Sequence, residues 1–351
     1  MLVARLAQAR AGAVADRVLE RAEGLEHAQA VLVDVDAGTG GAQAIGALVQ
    51  PHAPAALREG ARRGQPCETA ADDLRAARHV LENTRTMTVD DRLAGFPRRQ
   101  SKGISYRETG AGQALVLLHG IGSSSAGWLC QLETLRGYRL IAWDAPGYGE
   151  SEFLSLERPR PADYAQALHE FLDRLLLKDV VLVGNSLGCL MAGAYAAAHP
   201  ERVRSMVLLG PAGGYGALPD REEKLRGRLD ELEALGPEGL AEKRSPTLLG
   251  RGAPAEALEL VHWSQRRIKP QGFRQALQCL AQGRLAEDAR RFQKKVLVAC
   301  GSEDAITPEA GCKAIASAFP RSEYRTLAGI GHAPQIEAAD QVNDLIAAFT
   351  S

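Results

Sequence analysis

A serine set between two glycines, Ser186 in the run Gly184–Gly188, is the residue of this sequence best placed to act as a nucleophile. The apolar run Val180–Val183 comes directly before it, and a small-residue segment of helical character, Cys189–His199, comes directly after it. Glycines on both sides permit a tight strand-to-helix turn that raises the serine hydroxyl above a sheet. The start of a helix behind the serine also favours negative charge that develops there. The pattern therefore predicts a serine that attacks a carbonyl carbon.

A serine hydroxyl becomes a strong nucleophile when a base removes its proton and an acid orients that base. Asp304 and His332 each follow a short β-rich run late in the chain, and His332 is the only histidine on such a loop. Because the carboxyl ends of parallel strands meet at one edge of a sheet, both side chains are expected beside Ser186. Glu303 is an alternative acid, since it is adjacent to Asp304.

A second glycine-rich turn is expected to stabilise the negative oxygen of the reaction. The run His119–Gly122 ends another β-rich segment, and its loop predicts that the backbone N–H of Ile121 points at a carbonyl oxygen together with the N–H of Leu187. Loss of one such donor typically costs about 2.7–4 kcal/mol in the transition state. Gly120 is expected to line the pocket at this turn.

Two tryptophans are the candidate pocket walls. Trp128 lies shortly after the glycine turn, where packing behind the loop is an equally good interpretation, and Trp263 lies in a later helical segment. Three arginines in or beside that helical region are weaker candidates for substrate contact, because arginines on helix surfaces are usually solvated. They are Arg244, Arg266 and Arg267.

The elements that must position these residues alternate in type. Short, almost fully apolar runs alternate with amphipathic helical stretches such as 162–177 and 308–319, which predicts a mostly parallel sheet covered by helices on both faces, an α/β fold. The six expected strands are Leu115–His119, Arg139–Trp143, Val180–Gly184, Met206–Gly210, Val296–Cys300 and Tyr324–Leu327. The interval 211–295 is too long for a simple crossover and contains helical segments at 221–235, 254–267 and 272–283. We expect a helical cap over 217–292, inserted into a core formed by 96–216 and 293–351.

The first 95 residues differ from the rest in composition. They contain 22 alanines, whereas all 17 aromatic residues and all eight lysines lie at Phe96 or later. Such a stretch has little large apolar surface for an independent core. We expect residues 1–95 to be an α/β extension of unknown role, which includes a strand at Ala30–Val35 and a glycine-rich turn at Gly38–Gly41. This extension is a candidate oligomerisation or docking element, and Met87 is a candidate native start.

Charge and cysteine content limit the partners of the protein. The 42 Lys and Arg residues balance 43 Asp and Glu residues, which argues against nucleic acid or an anionic membrane as an obligatory partner. The six cysteines show no Cys-x-x-Cys spacing, so we expect buried free thiols in a cytoplasmic protein and no zinc site. The chemistry described above requires no metal and no organic cofactor.

Five motifs in order make residues 104–350 resemble an α/β-hydrolase-fold enzyme. They are Leu118–Gly122, Asp144–Ser151, Gly184–Gly188, Gly301–Asp304 and Gly331–His332. The family spacing favours Asp304 over Glu303 as the acid. The resemblance is strongest to 3-oxoadipate enol-lactonases and related carboxylesterases of aromatic catabolism. Asn185 also resembles the C–C bond hydrolases of meta-cleavage products, although those usually have Gly-Pro-Gly after the first His-Gly and Trp after the catalytic His. Gly122–Ser125 and Ala333 stand at those places in this sequence.

The resemblance implies a serine hydrolase that cleaves a small-molecule ester or lactone through Ser186, His332 and Asp304. Two alternatives remain at this point. One is hydrolytic C–C cleavage of an aromatic ring-fission product, and the other is a non-catalytic binding module on a hydrolase scaffold. A homo-oligomer is compatible with either.

Overall fold

Eight strands form one sheet in the order β1-β2-β4-β3-β5-β6-β7-β8. The strands are β1 (Arg99–Ser101), β2 (Ile104–Gly110), β3 (Gln113–Leu118), β4 (Tyr138–Trp143), β5 (Val180–Asn185), β6 (Val203–Leu209), β7 (Val296–Gly301) and β8 (Ser322–Leu327). From β4 to β8 all neighbouring strands are parallel, whereas β2 pairs antiparallel with both β1 and β4. The six strands expected from the sequence correspond to β3–β8, which confirms the mostly parallel α/β fold.

Helices connect these strands and cover the sheet. They are α1 (Val89–Ala94), α2 (Leu129–Thr134), α3 (Pro161–Arg174), α4 (Leu187–Ala198), α5 (Arg221–Arg244), α6 (Ala255–Gln265), α7 (Pro270–Gln282), α8 (Leu285–Ala289), α9 (Glu309–Ala318), α10 (Pro334–Glu337) and α11 (Ala339–Thr350). Short 3₁₀ turns at Ser125–Trp128 and Ser245–Leu248 precede α2 and α6.

The central strands are apolar along their whole length because both faces of the sheet are covered. In β5, Val180 and Leu182 join one buried cluster with side chains of α3 and α4, such as Phe171. Val181 and Val183 point to the other face and join a second buried cluster with side chains of α2 and α11. Alternate residues of a strand therefore supply two separate hydrophobic layers.

Helices α5–α8 are inserted between β6 and β7. Helix α5 is kinked at Gly236, where φ is +61°, and Pro237 follows, so the regular helix expected over 221–235 ends where the sequence places it. Leu232 of α5 and Phe273 of α7 pack into the same buried cluster as α3 and α4. The insertion therefore lies on that face of the sheet. The cap limits 217–292 remain a prediction.

The structure is a computed structural model that describes residues 87–350. The strand and glycine turn expected near residues 30–41 therefore lie outside the described residues. Met87–Ser351 form one compact unit. Helix α1 belongs to this unit, because Val89 and Leu93 are buried against α6 residues such as Val261. The compact unit thus begins nine residues before the boundary expected at Phe96, since the short helix lacks aromatic residues and resembles the preceding segment in composition.

No helix among residues 87–350 is both long and apolar enough to cross a lipid bilayer. The five cysteines of this part of the chain are free thiols.

Candidate active site

The turn that carries Ser186 is tightly constrained. Ser186 lies between the last residue of β5 and the first of α4, with a φ of +52° and a ψ of −114°. Such a conformation is unusual for a residue with a side chain and costs on the order of 1–3 kcal/mol. A Cβ on Gly184 would lie 2.8 Å from the Cys189 nitrogen, and a Cβ on Gly188 would collide with the backbone carbonyl of Leu118. Both glycines are therefore required for the turn that raises Ser186 above the sheet.

Asp304 and His332 form a hydrogen-bonded pair on neighbouring loops. The His332 Nδ1 atom lies 2.8 Å from Asp304 Oδ2. The Thr307 hydroxyl donates to the same oxygen at 2.8 Å. The backbone N–H groups of Ile306 and Thr307 donate to Asp304 Oδ1 at 2.9 and 2.8 Å. All acceptor directions of the carboxylate thus have partners, and the Asp304 side chain is fixed.

Electrostatics favour the charged form of Asp304. Burial opposes ionisation, but the hydrogen bond and charge of His332 and the hydrogen bonds from Thr307 outweigh it and lower the pKa of Asp304. The neighbouring Glu303 does not face His332. Its carboxylate accepts the backbone N–H of Arg251 at 2.8 Å and pairs with the Arg251 guanidinium at 2.9 Å. The geometry thus places Asp304, and not Glu303, in hydrogen-bond contact with His332.

Asn185 links the serine turn to the histidine loop. Its Nδ2 atom donates to the His332 carbonyl oxygen at 3.0 Å and to the Leu209 carbonyl oxygen at 3.2 Å. Within residues 87–350 the Ser186 hydroxyl has no hydrogen-bond partner, so no Ser186–His332 bond is formed in this arrangement. Catalytic hydrogen bonds often tighten only when substrate binds.

The first glycine turn packs directly on the serine turn. A Cβ on Gly120 would lie 3.3 Å from the Ser186 Cβ, so Gly120 lies against the nucleophile as expected for a residue lining the site. The Leu187 N–H begins α4, and the first N–H groups of a helix have no acceptor within it. The Ile121 carbonyl accepts a hydrogen bond from the Tyr148 hydroxyl at 2.8 Å, which fixes the peptide that follows Ile121.

His119 supports this turn and is not placed for proton transfer. Its Nδ1 atom contacts the Gly120 carbonyl oxygen at 2.8 Å, and its Nε2 atom accepts the Ala145 N–H at 3.0 Å. Burial lowers the pKa of His119. The ring is therefore a neutral brace for the loop.

Asp144 braces the same region from behind. Its carboxylate accepts hydrogen bonds from the Ser125 N–H at 2.7 Å, the Ser105 hydroxyl at 2.6 Å and the Arg98 Nε atom at 2.9 Å. Burial opposes its ionisation, but the Arg98 charge and the hydrogen bonds from Ser105 and Ser125 lower the pKa of Asp144. Asp144 thus has a structural role in this region, where it ties together Arg98, Ser105 and Ser125.

The inserted segment around Leu248–Gly250 is joined by hydrogen bonds to the loop that carries His332. The His332 N–H donates to the Leu248 carbonyl oxygen at 2.7 Å. The buried carboxylate of Glu337 accepts the Gly250 N–H and the Gly331 N–H, each at 2.9 Å. Because Gly331 immediately precedes His332, Glu337 joins the insertion to the loop that carries His332. We call Leu248–Gly250, Gly331, His332 and Glu337 the histidine clamp.

The two expected pocket tryptophans lie elsewhere. Trp128 is fully buried in the core cluster that contains Leu117 and Leu132, so it packs behind the glycine turn and does not form a pocket wall. The Trp263 Nε1 atom donates to Asp90 of α1 at 3.1 Å, and the Arg267 guanidinium lies 3.9 Å from its ring centre. Trp263 therefore joins α6 to α1.

The cap arginines are engaged with protein groups or solvent. Arg244 pairs with Glu231, and Arg267 pairs with Trp263 and Asp90. Arg266 is exposed.

The candidate catalytic side chains are covered. Ser186, Asp304 and His332 are 8%, 5% and 5% exposed, so the candidate site is recessed below the protein surface. No cluster of three or more metal-binding side chains occurs among residues 87–350.

Sequence reasoning missed Thr307, Glu337 and Gln265. Thr307 had a detectable signal, because an aspartate that accepts N–H groups two and three residues later is common in turns. Glu337 and Gln265 act across long sequence separations and carried no local signal.

Comparison with known proteins shows the same architecture over most of the described chain. The α/β hydrolase fold family model matches residues 113–339. A 2-hydroxy-6-oxononadienedioate/2-hydroxy-6-oxononatrienedioate hydrolase of Paraburkholderia phymatum is 30% identical over 266 residues, which cover 70% of this chain and 90% of that enzyme.

Solved structures agree with this result. An esterase of Thermogutta terrifontis superimposes with a TM-score of 0.65 at 25% identity, covering 73% of this chain and 96% of the esterase. The enol-lactonase of Burkholderia xenovorans gives a TM-score of 0.64 at 21% identity, covering 72% of this chain and 99% of that enzyme. This chain belongs to the α/β-hydrolase fold family.

Proposed function

We propose that this protein is a serine hydrolase that cleaves a small-molecule ester or lactone through Ser186, His332 and Asp304. The observation that carries the proposal is the 2.8 Å pair between His332 Nδ1 and Asp304 Oδ2, held beside the serine turn by the bond from Asn185 to the His332 carbonyl. A histidine fixed by a carboxylate at Nδ1 has its Nε2 atom free to act as a base.

The reaction begins when Ser186 Oγ attacks the carbonyl carbon and its proton passes to His332 Nε2. The carbonyl oxygen becomes negative and accepts hydrogen bonds from the N–H groups of Ile121 and Leu187. Asp304 stabilises the positively charged imidazole that forms. The carbon–oxygen bond to the leaving group then breaks, and the leaving alkoxide or enolate takes the proton from His332.

Water completes the cycle. His332 removes a proton from a water molecule, the resulting hydroxide attacks the acyl-serine, and the proton returns to Ser186 as the carboxylic acid leaves. Each step moves one proton between His332 and the reacting oxygen. The route is complete with the side chains named here.

Hydrolytic C–C cleavage of a vinylogous diketone is the second candidate. It is favoured by the Paraburkholderia phymatum relative, which aligns over 90% of its length. Asn185 before the nucleophile also resembles that group. The leaving group would then be a carbon atom of a dienolate, which takes its proton in place of an alkoxide.

A substrate panel separates the candidates. Purified protein is assayed with an enol-lactone, aryl esters and a ring-fission dienoate, in parallel with Ser186→Ala. Ester or lactone turnover that disappears in Ser186→Ala supports the proposal. Turnover of the dienoate alone identifies the C–C hydrolase. Absence of turnover for every compound, with ligand binding retained, identifies a binding module.

We further propose a cytoplasmic enzyme whose first 86 residues affect assembly. The five cysteines of the described chain are free thiols, four of them buried, which suits a reducing compartment. Size-exclusion chromatography compares the full chain with a form beginning at Met87. Identical oligomeric states would exclude a role of the preceding segment in assembly.

A further inference from the structure

Gln265, the last residue of α6, lies against the glycine turn of the candidate active site. A Cβ on Gly122 would lie 2.9 Å from Gln265 Oε1 and 3.0 Å from its Cδ. Gly122 follows Ile121, the expected oxyanion donor, by one residue. The absence of a side chain on Gly122 thus leaves the space that the Gln265 carboxamide occupies, one residue from the expected oxyanion donor.

The Gln265 side chain is almost withdrawn from the surface, and no protein group of the described chain hydrogen-bonds its carboxamide. The residue is 4% exposed, and its side chain makes no hydrogen bond with any group among residues 87–350. Gln275 is also 4% exposed, but its Nε2 atom donates to the carbonyl oxygens of Leu154 and Leu156, each at 2.7 Å, and only its Oε1 atom has no partner in the described chain. The Gln265 amide is not among the fully buried polar atoms, so it remains accessible to a ligand oxygen, which would supply the hydrogen-bond partner that the protein does not provide.

The helix that carries Gln265 is firmly supported. Leu260 and Val261 of α6 pack with Ala126 and Leu129, which belong to the segment directly after the glycine turn. One hydrophobic cluster therefore supports both α6, which carries Gln265, and the segment after the glycine turn, and it holds the carboxamide against that turn. A side chain held in this way is preorganised for recognition.

We propose that Gln265 is a specificity-determining residue that hydrogen-bonds a second oxygen of the substrate, close to the scissile carbonyl. The inference deepens the proposed hydrolase function and rests on it. The Gln265 Nε2 group donates to a carbonyl, ether, hydroxyl or carboxylate oxygen of the substrate. Preferred substrates are consequently oxygenated within a few bonds of the carbonyl, and plain aliphatic esters of equal size are poorer.

Two matched ester pairs test this idea, with an ether oxygen replacing a methylene group in each. 4-Nitrophenyl methoxyacetate against 4-nitrophenyl butanoate probes the acyl side. 2-Methoxyethyl butanoate against butyl butanoate probes the alcohol side. The quantity measured is the kcat/KM ratio within each pair, in the wild type and in Gln265→Leu. Comparing these ratios between proteins removes the intrinsic difference in ester reactivity.

We expect Gln265→Leu to lower the ratio of one pair by about 10- to 100-fold, the effect of one lost hydrogen bond to a buried group. The affected pair identifies the side of the substrate that Gln265 contacts. Gln275→Leu is the control, since its loss should lower stability while leaving both ratios unchanged. Ratios unchanged in Gln265→Leu for both pairs would overturn the inference.

A second variant and a binding measurement keep the test decisive. If Gln265→Leu does not fold, Gln265→Met removes the same hydrogen bond with an unbranched side chain of similar length. Calorimetric titration with methoxyacetate and butanoate measures discrimination without turnover. Failure of the wild type to hydrolyse any ester contradicts the proposed function. Where the ester pairs place the contact on the acyl side, equal loss of affinity for both acids in the variant, or no loss, contradicts the role of Gln265.

Discussion

The histidine clamp makes Glu337→Gln an informative perturbation. Glu337 accepts two backbone N–H groups at 2.9 Å, one from Gly250 in the insertion and one from Gly331 beside the base. The amide of glutamine keeps one acceptor oxygen and places an NH2 group against the other N–H. One hydrogen bond to a carboxylate is therefore lost, which is worth about 1.5–3 kcal/mol of unfolding free energy.

That loss has a measurable size in a domain of this length. A change of 1 kcal/mol shifts the melting temperature by about 2–4 °C for domains of 150–250 residues, so we expect Glu337→Gln to melt about 3–12 °C below the wild type. Because Gly331 positions the following residue, His332, kcat should also fall at least about 10-fold. A displacement of 1 Å in a catalytic group can cost about 100-fold.

Thermal unfolding and steady-state kinetics, recorded on the same preparations, test both parts. Glu323→Gln is the matched control, since Glu323 is half exposed and, among residues 87–350, pairs only with Arg325 at the surface. It should change stability by less than about 0.5 kcal/mol. If Glu337→Gln melts at the wild-type temperature, the histidine clamp does not stabilise the fold and the reasoning is refuted. A lower melting temperature with unchanged kcat would show that the clamp stabilises the fold without positioning His332.

Three further predictions follow from the site. Asp304→Asn should lower kcat by about 10³- to 10⁴-fold, because the imidazole loses its orienting charge. Glu303→Gln should retain the wild-type kcat. A large loss of kcat in Glu303→Gln and none in Asp304→Asn would identify Glu303 as the acid. The pKa of Asp144 is lowered in the folded state, so its contribution to stability is complete above the unfolded carboxyl range and is lost as pH falls below about 4. Urea unfolding gives the unfolding free energies of the wild type and Asp144→Asn, and their difference should be smaller at pH 3 than at pH 7. An equal difference at both pH values would contradict this prediction. Gly188→Ala should abolish folding or activity because its Cβ meets a backbone carbonyl, whereas Gly311→Ala has open space and should melt within about 2 °C of the wild type or above it.

The fold and the contact between Asp304 and His332 were predictable because their signals are local. The apolar runs that become β3–β8 are continuous, since both faces of the sheet are buried. Ser186, Asp304 and His332 each follow a strand, and parallel strands deliver their carboxyl ends to one edge. These relations are visible without knowledge of the tertiary structure.

The pocket was less predictable because its walls depend on contacts between distant segments. Trp128 and Trp263 were selected by residue type, yet one is core and the other joins α6 to α1. Gln265 is polar and ends an ordinary helix, so its position against Gly122 follows only from how the insertion packs. The antiparallel β1 and β2 were missed for a similar reason, since their burial is uneven along the strands.

Covalent labelling of Ser186 is the most direct test of the central claim. Full-length protein is treated with a fluorophosphonate, and the modified peptide is identified by mass spectrometry after digestion. The mechanism predicts one adduct per chain on Ser186, strongly slowed labelling in Asp304→Asn, and no adduct in Ser186→Ala. Labelling at another residue, or hydrolytic activity that survives in Ser186→Ala, would contradict the mechanism.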